Sequence, residues 1–182
     1  MLRKELCREY GLDPDVITFL FIGSGLKVKQ VDAILRHVSH GDVPKQILLV
    51  AGKNRELLNK LEKFTVPSHT TLRAFGFVTD IEKLMSISDL IITKPGGLTI
   101  SERLVKNLPI LMVFPIPGQE ERNADYVVSS GAGVKAHDPL DLEYKIQNIL
   151  QNPDLLKSMR ESAAAAIYPD AAERIIQKVL QE

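Results

Sequence analysis

The sequence is poor in residues that mark several common classes of protein. One of its 182 residues is cysteine, which excludes an internal disulfide and a cysteine-rich metal site. Tryptophan is absent and aromatic residues make up 5%, which argues against base stacking on single-stranded nucleic acid. Basic and acidic residues number 23 each, so no net charge attracts nucleic acid or an acidic membrane. We therefore expect no nucleic-acid partner.

Long apolar runs are missing as well. No stretch approaches the length needed to cross a bilayer, while 45% hydrophobic and 25% charged residues are typical of a globular protein. The length suits one domain of ordinary size with its own core, covering residues 1–182. We expect a cytoplasmic protein of a single domain.

Common nucleotide and metal motifs are absent too. The dinucleotide fingerprint G-x-G-x-x-G requires a third glycine where this sequence has Val28. It also requires an acidic residue at the end of the second predicted strand, which here closes with Ala51, Gly52 and Lys53. The P-loop, H-E-x-x-H and a D-x-D pair at a strand end are also missing. The four histidines are scattered, with His137 after a strand end the best placed of them. The sequence therefore favours neither a dinucleotide nor a metal ion.

Short apolar strands alternate with helical patterns along most of the chain. The predicted strands cover residues 17–22, 46–51, 71–75, 89–93, 109–114 and 133–136. This alternation predicts an α/β fold, a Rossmann-like doubly wound parallel sheet of about six strands in the order 3-2-1-4-5-6. From residue 139 the chain reads as helical, with breaks near Asn152 and at 168–170. Its last helix places four apolar residues on one side: Ile175, Ile176, Val179 and Leu180.

The centre of the predicted architecture is residues 89–102. A buried strand ends before Pro95, and Gly96 and Gly97 permit a tight turn with close approach of a ligand. Thr99 and Glu102 match a capping box opening a helix near residue 100. Such a turn leaves backbone N–H groups available to an anion, although a capped connection without any ligand fits this stretch equally well.

A second glycine turn strengthens the case for a ligand. Gly23, Ser24 and Gly25 follow the first strand, and residues 94–97 follow the fourth. In the predicted order these strands are neighbours, and ligands of doubly wound folds bind where their carboxyl ends part. The two turns should therefore face each other across one crevice, which favours a ligand that carries phosphate.

Three segments carry a resemblance to a known family: residues 93–102 (TKPGGLTISE), 115–124 (PIPGQEERNA) and 131–133 (GAG). They resemble the C-terminal domain of family 28 glycosyltransferases. These include monogalactosyldiacylglycerol synthases, processive diacylglycerol glucosyltransferases and the peptidoglycan enzyme that adds N-acetylglucosamine to lipid I. The resemblance runs over about residues 4–166. The Lys-Pro-Gly-Gly and Pro-Gly-Gln-Glu variants are more similar to the diacylglycerol branch.

The resemblance implies an inverting GT-B hexosyltransferase, in which two Rossmann-like domains face each other and this chain is the second. That domain binds the UDP-sugar donor, UDP-glucose or UDP-galactose, and the missing D-x-D fits a site without metal or other cofactor. The acceptor would be a lipid, diacylglycerol in the more similar branch. The implied donor-binding residues are Gly23, Ser24, Gly25, Phe77, Val78, Lys94, Gly96, Gly97, Leu98, Thr99, Glu102, Gln119, Glu120 and Asn123.

The resemblance also implies individual roles. Glu102 would bind the ribose hydroxyls, Thr99 and the turn before it the diphosphate, and the Gly76-Phe77-Val78 backbone the uracil. Gln119 and Glu120 would bind the sugar hydroxyls, and Asn123 would support their loop. Ser24 would add a phosphate contact, although its turn departs from the family pattern.

Some of these side chains have a purely structural alternative. Glu102 fits the capping box, and Glu120 fits an acidic first turn of a helix. Lys94 fits a solvated side chain in a loop. At this point the sequence leaves these alternatives open.

The resemblance leaves no sequence for the acceptor-binding domain, on which the general base is expected. We assign no catalytic residue, and we expect this chain alone to be inactive. The full-length enzyme would work at the inner face of the membrane, in contact with its lipid acceptor.

Two alternatives remain. One is a stand-alone subunit that docks on a membrane-bound partner chain, as in the eukaryotic dolichol-pathway N-acetylglucosaminyltransferase. The other is a nucleotide-sugar epimerase. An apolar face around Leu2, Leu6 and the last helix is expected to meet the partner or missing domain.

Overall fold

One sheet of parallel strands forms the centre of the computed structural model, which describes residues 3–166 and 170–180. Its strands are β1 (Thr18–Ile22), β2 (Lys45–Val50), β3 (Thr70–Phe75), β4 (Leu90–Thr93), β5 (Ile110–Val113) and β6 (Gly133–Ala136). Their order is β3-β2-β1-β4-β5-β6 and each pair is parallel, which confirms the predicted fold and strand order. Strands β2, β4 and β5 are buried along their whole length, because helices cover both faces of the sheet.

Helices connect the strands and continue beyond them. They are α1 (Arg3–Glu9), α2 (Val28–Ser39), α3 (Arg55–Leu61), α4 (Ile81–Ser86), α5 (Gly97–Val105), α6 (Gln119–Ser129), α7 (Pro139–Gln151), α8 (Pro153–Ala165) and α9 (Ala171–Leu180). The Asp138 side chain caps α7 by accepting from the Asp141 N–H at 2.8 Å. The predicted break near Asn152 separates α7 from α8. In the second predicted break, Tyr168 and Pro169 lie outside the described residues.

Two apolar cores lie on opposite faces of the sheet. The first contains residues of α2, α3 and α7, including Ile34, Leu57 and Ile146. The second contains residues of α1, α4, α5 and α6, including Leu84 and Leu104. The helices that follow the adjacent strands β1 and β4 therefore leave the sheet on opposite faces, which is the switch point of a doubly wound fold.

The expected apolar face is partly wrong. Leu6 is 5% exposed because α1 packs it into the second core, and Leu2 lies outside the described residues. On α9 the four predicted apolar side chains are exposed, between 59% and 80%. No helix among residues 3–166 and 170–180 is long and apolar enough to span a bilayer.

Candidate functional site

The two glycine turns begin at the same level on neighbouring strands. Phe21 of β1 pairs with Ile92 of β4, so both strands end one residue later, at Ile22 and Thr93. Adjacent strands are about 4.8 Å apart, and both turns start at their carboxyl ends. The structure thus places the turns 23–25 and 94–97 side by side, as the strand order predicts.

The loops after β1, β2 and β3 meet along the same edge. A methyl group placed on Gly52 would lie 3.1 Å from Cβ of Ser24, and one on Gly76 would lie 3.9 Å from the Gly52 carbonyl oxygen. Gly23 joins the loop after β1 to the end of β2 by donating its N–H to the Val50 carbonyl at 2.9 Å. Ser24 is exposed at this junction, with its Cβ close to where a side chain on Gly52 would lie.

The N-terminus of α5 differs from the prediction. The helix begins at Gly97, with Gly96 as its N-cap and no capping side chain, so the Thr99–Glu102 capping box is wrong. The first helical bond joins the Ile100 N–H to the Gly96 carbonyl at 2.9 Å, because a glycine cap lets the helix start before Thr99. Among the described residues no acceptor is recorded for the N–H groups of 97–99. Three backbone donors therefore face the edge.

Side chains of α6 close one side of this helix start. Asn123 donates from Nδ2 to the Pro95 carbonyl at 3.0 Å. A methyl group on Gly97 would lie 3.7 Å from Nδ2 of Asn123 and 3.9 Å from Nε2 of Gln119. A positive φ of 100° at Gly118 turns the chain into α6 and brings these amides to the N-terminus of α5. Asn123 thus anchors the 94–97 turn, and Gln119 lies at its mouth.

Lys94 and Glu120 form an ion pair at the junction of the two helix starts. Lys94 Nζ lies 3.6 Å from Oε2 of Glu120, and the two side chains are 20% and 21% exposed. The same Oε2 accepts the Ile116 N–H at 2.8 Å. Lys94 is therefore held beside the turn and is not a solvated loop side chain.

Glu102 lies further along α5 with its side chain 61% exposed. Its Oε2 accepts a hydrogen bond from Nη1 of the buried Arg103 at 2.7 Å. Because the capping box is absent, that structural alternative for Glu102 is removed. Arg103 was not identified from the sequence. The pattern that could have indicated it is a cation on the buried face of an amphipathic helix, beside Ile100 and Leu104.

Exposed apolar side chains lie along the edge, two on loops and one in the first turn of α5. Phe77 is 67% exposed, Leu98 85% and Ile116 55%. Nζ of Lys53 lies 5.5 Å from the centroid of the Phe77 ring, a cation–π contact that sequence reasoning did not identify. Val78 is half-buried against the second core, so its neighbour Phe77 is presented from an anchored loop.

A larger cavity lies away from these loops. It measures about 810 Å³ and lies at the amino edge of the sheet, lined by Arg3, Asp89, Ile149, Leu156, Arg160 and others. None of the predicted site residues lines it. A groove of about 530 Å³ beside α5 and α6 includes Gly97 and Asn123. We place the candidate site by the loop geometry, since a cavity's size alone does not identify its chemistry.

Among the described residues, no contact is recorded between a histidine side chain and the predicted site residues. Nδ1 of His37 and Nδ1 of His40 each lie 2.6 Å from an oxygen of Glu143. His137 is exposed, and its backbone N–H donates to Asp141 Oδ2 at 2.9 Å. Within the described ranges, no three His, Cys, Asp or Glu side chains are arranged to hold a metal ion.

Comparisons with known proteins agree with the resemblance stated from the sequence. The model of the family described as glycosyl transferases group 1 matches residues 3–166. A processive diacylglycerol beta-glucosyltransferase of Bacillus cytotoxicus is 33% identical over 137 residues, which are 75% of this chain and 35% of that protein. The chain thus spans about a third of the length of the curated relatives it matches.

Solved structures agree in fold. MurG of Acinetobacter baumannii superposes with a TM-score of 0.78 at 21% identity, covering 100% of this chain and 54% of that one. Anabaena Alr3699/HepE, solved in complex with UDP-glucose, gives 0.68 at 16% identity, covering 90% and 46%. These likenesses confirm the Rossmann-like fold of the GT-B type.

Proposed function

Because the chain belongs to the glycosyl transferases group 1 family, we propose that it binds the UDP-sugar donor of an inverting hexosyltransferase. The acceptor in this proposal is a lipid, diacylglycerol, as the names of the curated relatives indicate for those proteins. The donor is UDP-glucose or UDP-galactose. The observation that carries the proposal is the N-terminus of α5. Its available N–H donors lie beside Lys94, Gln119 and Asn123 at the carboxyl edge.

The diphosphate binds at that helix start in our proposal. Cleavage of the sugar–phosphate bond leaves negative charge on the departing UDP. The N-terminus of a helix carries about half a positive charge with fixed N–H donors, which stabilise such charge as it develops. Lys94 adds a cation, and Gly96, Gly97, Leu98 and Thr99 supply the backbone. We propose that this arrangement binds the diphosphate without a metal ion.

The remaining groups bind the ends of the donor. Glu102, on the exposed side of α5, accepts the ribose hydroxyls, since a carboxylate has two oxygens for a vicinal diol. The loop containing Phe77 and Val78 meets the uracil, and Gln119 and Glu120 bind the sugar hydroxyls. Gly23, Ser24 and Gly25 complete the phosphate site from the neighbouring strand.

Transfer itself requires more than this chain in our proposal. The general base and the acceptor site belong to an N-terminal domain or to a separate membrane-bound subunit, and the assembled enzyme works at the inner face of the membrane. The exposed apolar side of α9 supports a further protein surface in contact with this chain. Alone, the chain should bind the donor and transfer nothing.

Calorimetric titration with UDP tests the proposal. We expect the wild-type chain to bind UDP, and Glu102→Ala to bind it about ten- to a hundredfold more weakly, the loss of a charge-assisted contact. Glu121→Ala, an exposed acid in the first turn of α6, is the matched control and should match wild type. Excess EDTA should leave the dissociation constant unchanged. Equal binding by wild type and Glu102→Ala would overturn the role of Glu102, and absence of UDP binding would overturn the function.

A further inference from the structure

Among the residues that the structure describes, Arg103 is a buried cation with a single side-chain partner. Its side chain is 5% exposed, and its Nε is buried without a hydrogen-bond partner in the described part of the chain. Nη1 donates to Oε2 of Glu102 at 2.7 Å. Within residues 3–166 and 170–180, Glu102 is the group that compensates this charge.

The pair joins a buried residue to an exposed one. Successive residues on a helix point about 100° apart, so neighbours do not normally face each other. Burial lowers the pKa of the Arg103 guanidinium, and the nearby carboxylate of Glu102 opposes that change. A buried charge that lost this partner would be strongly disfavoured, so the contact is retained. The carboxylate is thus held in one orientation although its side chain is 61% exposed.

We propose that Arg103 is a positioning residue that orients Glu102 toward the ribose of the donor, and this inference rests on the proposed function. A carboxylate has about four acceptor positions, and the Arg103 contact occupies one of them. The other positions stay available to a vicinal diol. The guanidinium restricts the rotamers of Glu102 before the nucleotide arrives, so less ordering is required on binding.

The consequence is selectivity for the ribose hydroxyls. Arg103 is buried and acts only through Glu102. Its substitution should therefore weaken the affinity for a nucleotide that has the diol and leave the affinity for one that lacks it unchanged. A purely structural role of Arg103 in packing α5 would instead change the affinities for both nucleotides alike. The ratio of the two affinities separates these roles even where a variant is less stable.

The experiment compares UDP with 2′,3′-dideoxy-UDP by calorimetry on the full chain. Arg103→Met, which keeps a long apolar side chain, should weaken UDP binding about tenfold and dideoxy-UDP binding less than twofold. Arg103→Lys should fall between Met and wild type, because it keeps the charge and loses the planar fork. Lys106→Met, an exposed cation next to the end of α5, should leave both affinities unchanged. Thermal unfolding confirms that each variant is folded at the titration temperature.

The Glu102→Gln background completes the test. There, Arg103→Met should cost no further UDP affinity, because the positioned carboxylate is already lost. If Glu102→Gln removes the preference for UDP while Arg103→Met leaves it intact, the positioning role is wrong and the proposed function stands. Parallel losses for both nucleotides in Arg103→Met would likewise overturn it. If wild type shows no preference for the diol, the ribose role of Glu102 fails together with this inference.

Discussion

The two edges of the sheet use their polar groups in opposite ways. At the amino edge, Asp89 directly precedes β4 and joins it to α1, β1 and α8. Its carboxylate accepts hydrogen bonds from both Nη groups of Arg3 at 2.8 Å, from the Thr18 N–H at 2.9 Å and from Arg160 at 3.3 Å. At the carboxyl edge, the first N–H groups of α5 have no acceptor recorded among the described residues. The Asp89 cluster pairs its charges internally, whereas the start of α5 keeps backbone N–H donors available even though Lys94 and Glu120 are paired beside it.

We infer from this contrast that the amino edge serves stability and that the proposed ligand binds at the carboxyl edge. Paired and partly buried charges at the amino edge hold α1, β1, β4 and α8 together. Helix N-termini, glycine backbone and exposed side chains at the carboxyl edge leave room for a ligand. Changes at the amino edge should therefore alter the free energy of unfolding, and changes at the carboxyl edge should alter ligand affinity.

The largest effect is expected for Asp89→Asn. The substitution removes the charge that pairs two arginines, and the Asp89 side chain is 16% exposed. We expect a loss of about 3 kcal/mol in the free energy of unfolding, the low end for breaking a buried ion pair since Arg3 is 32% exposed. Urea denaturation measures this loss. Folded Asp89→Asn should keep its UDP affinity within about twofold.

Asp15→Asn is the matched control for that experiment. Asp15 lines the same amino-edge cavity and is exposed, so its substitution should cost less than about 0.5 kcal/mol. If both variants lose the same stability, or if Asp89→Asn instead abolishes UDP binding while remaining folded, the division of roles between the edges is wrong.

At the carboxyl edge, Glu120→Gln should change selectivity for the sugar. Glu120 is oriented by the Ile116 N–H and by Lys94, and a sugar hydroxyl would donate to its carboxylate. We expect the ratio of UDP-glucose to UDP affinity to fall about tenfold, the size of one charge-assisted hydrogen bond. Competition titrations with UDP, UDP-glucose and UDP-galactose measure this ratio.

Glu121→Gln controls for the helix start. Glu121 follows Glu120 in the chain and accepts the Gly118 N–H at 3.4 Å, and among the described residues no ion pair joins it to Lys94. Its affinity ratio should equal that of wild type. A ratio unchanged in Glu120→Gln would remove Glu120 from the sugar site and leave it as a support of the turn.

The sequence was sufficient to predict the fold because a parallel sheet covered on both faces leaves continuous apolar runs. The predicted strand 46–51 corresponds to Lys45–Val50, and strand 133–136 to Gly133–Ala136. Glycine turns after the first and fourth strands then marked the switch point. Local patterns carry this information, so no knowledge of long-range contacts was needed.

Other features depend on contacts that sequence patterns do not encode. Asp89 meets Arg3 and Arg160 across separations of 86 and 71 residues, so the cluster was not predicted. The helix α5 was predicted to begin near residue 100 but begins at Gly97. The Thr-x-x-Glu pattern fits both a capping box and the interior of a helix, so the pattern alone does not locate the helix start. The roles of the donor-binding residues stay predictions.

The smallest expected effect concerns pH and lies where the end of α2 packs against Glu143 of α7. The pKa of Glu143 lies below its ordinary value of 4.5, chiefly because of the hydrogen bond with His37, with burial opposing and His40 adding to it. A lowered pKa in the folded state means that the pair stabilises the protein above about pH 4.5. That contribution is lost as pH falls through the folded-state pKa.

Glu143→Gln should therefore be less stable than wild type by about 1 kcal/mol at neutral pH, and this difference should shrink as the pH falls from about 4.5. Urea denaturation at a series of pH values measures it, with Glu161→Gln on the exposed face of α8 as control. Lower pH protonates the wild-type carboxylate and so makes it resemble the variant's neutral amide. A difference that grew as the pH fell below about 4.5 would mean that the folded protein binds the proton at Glu143 more tightly than the unfolded chain, which contradicts the contacts of its carboxylate with His37 and His40.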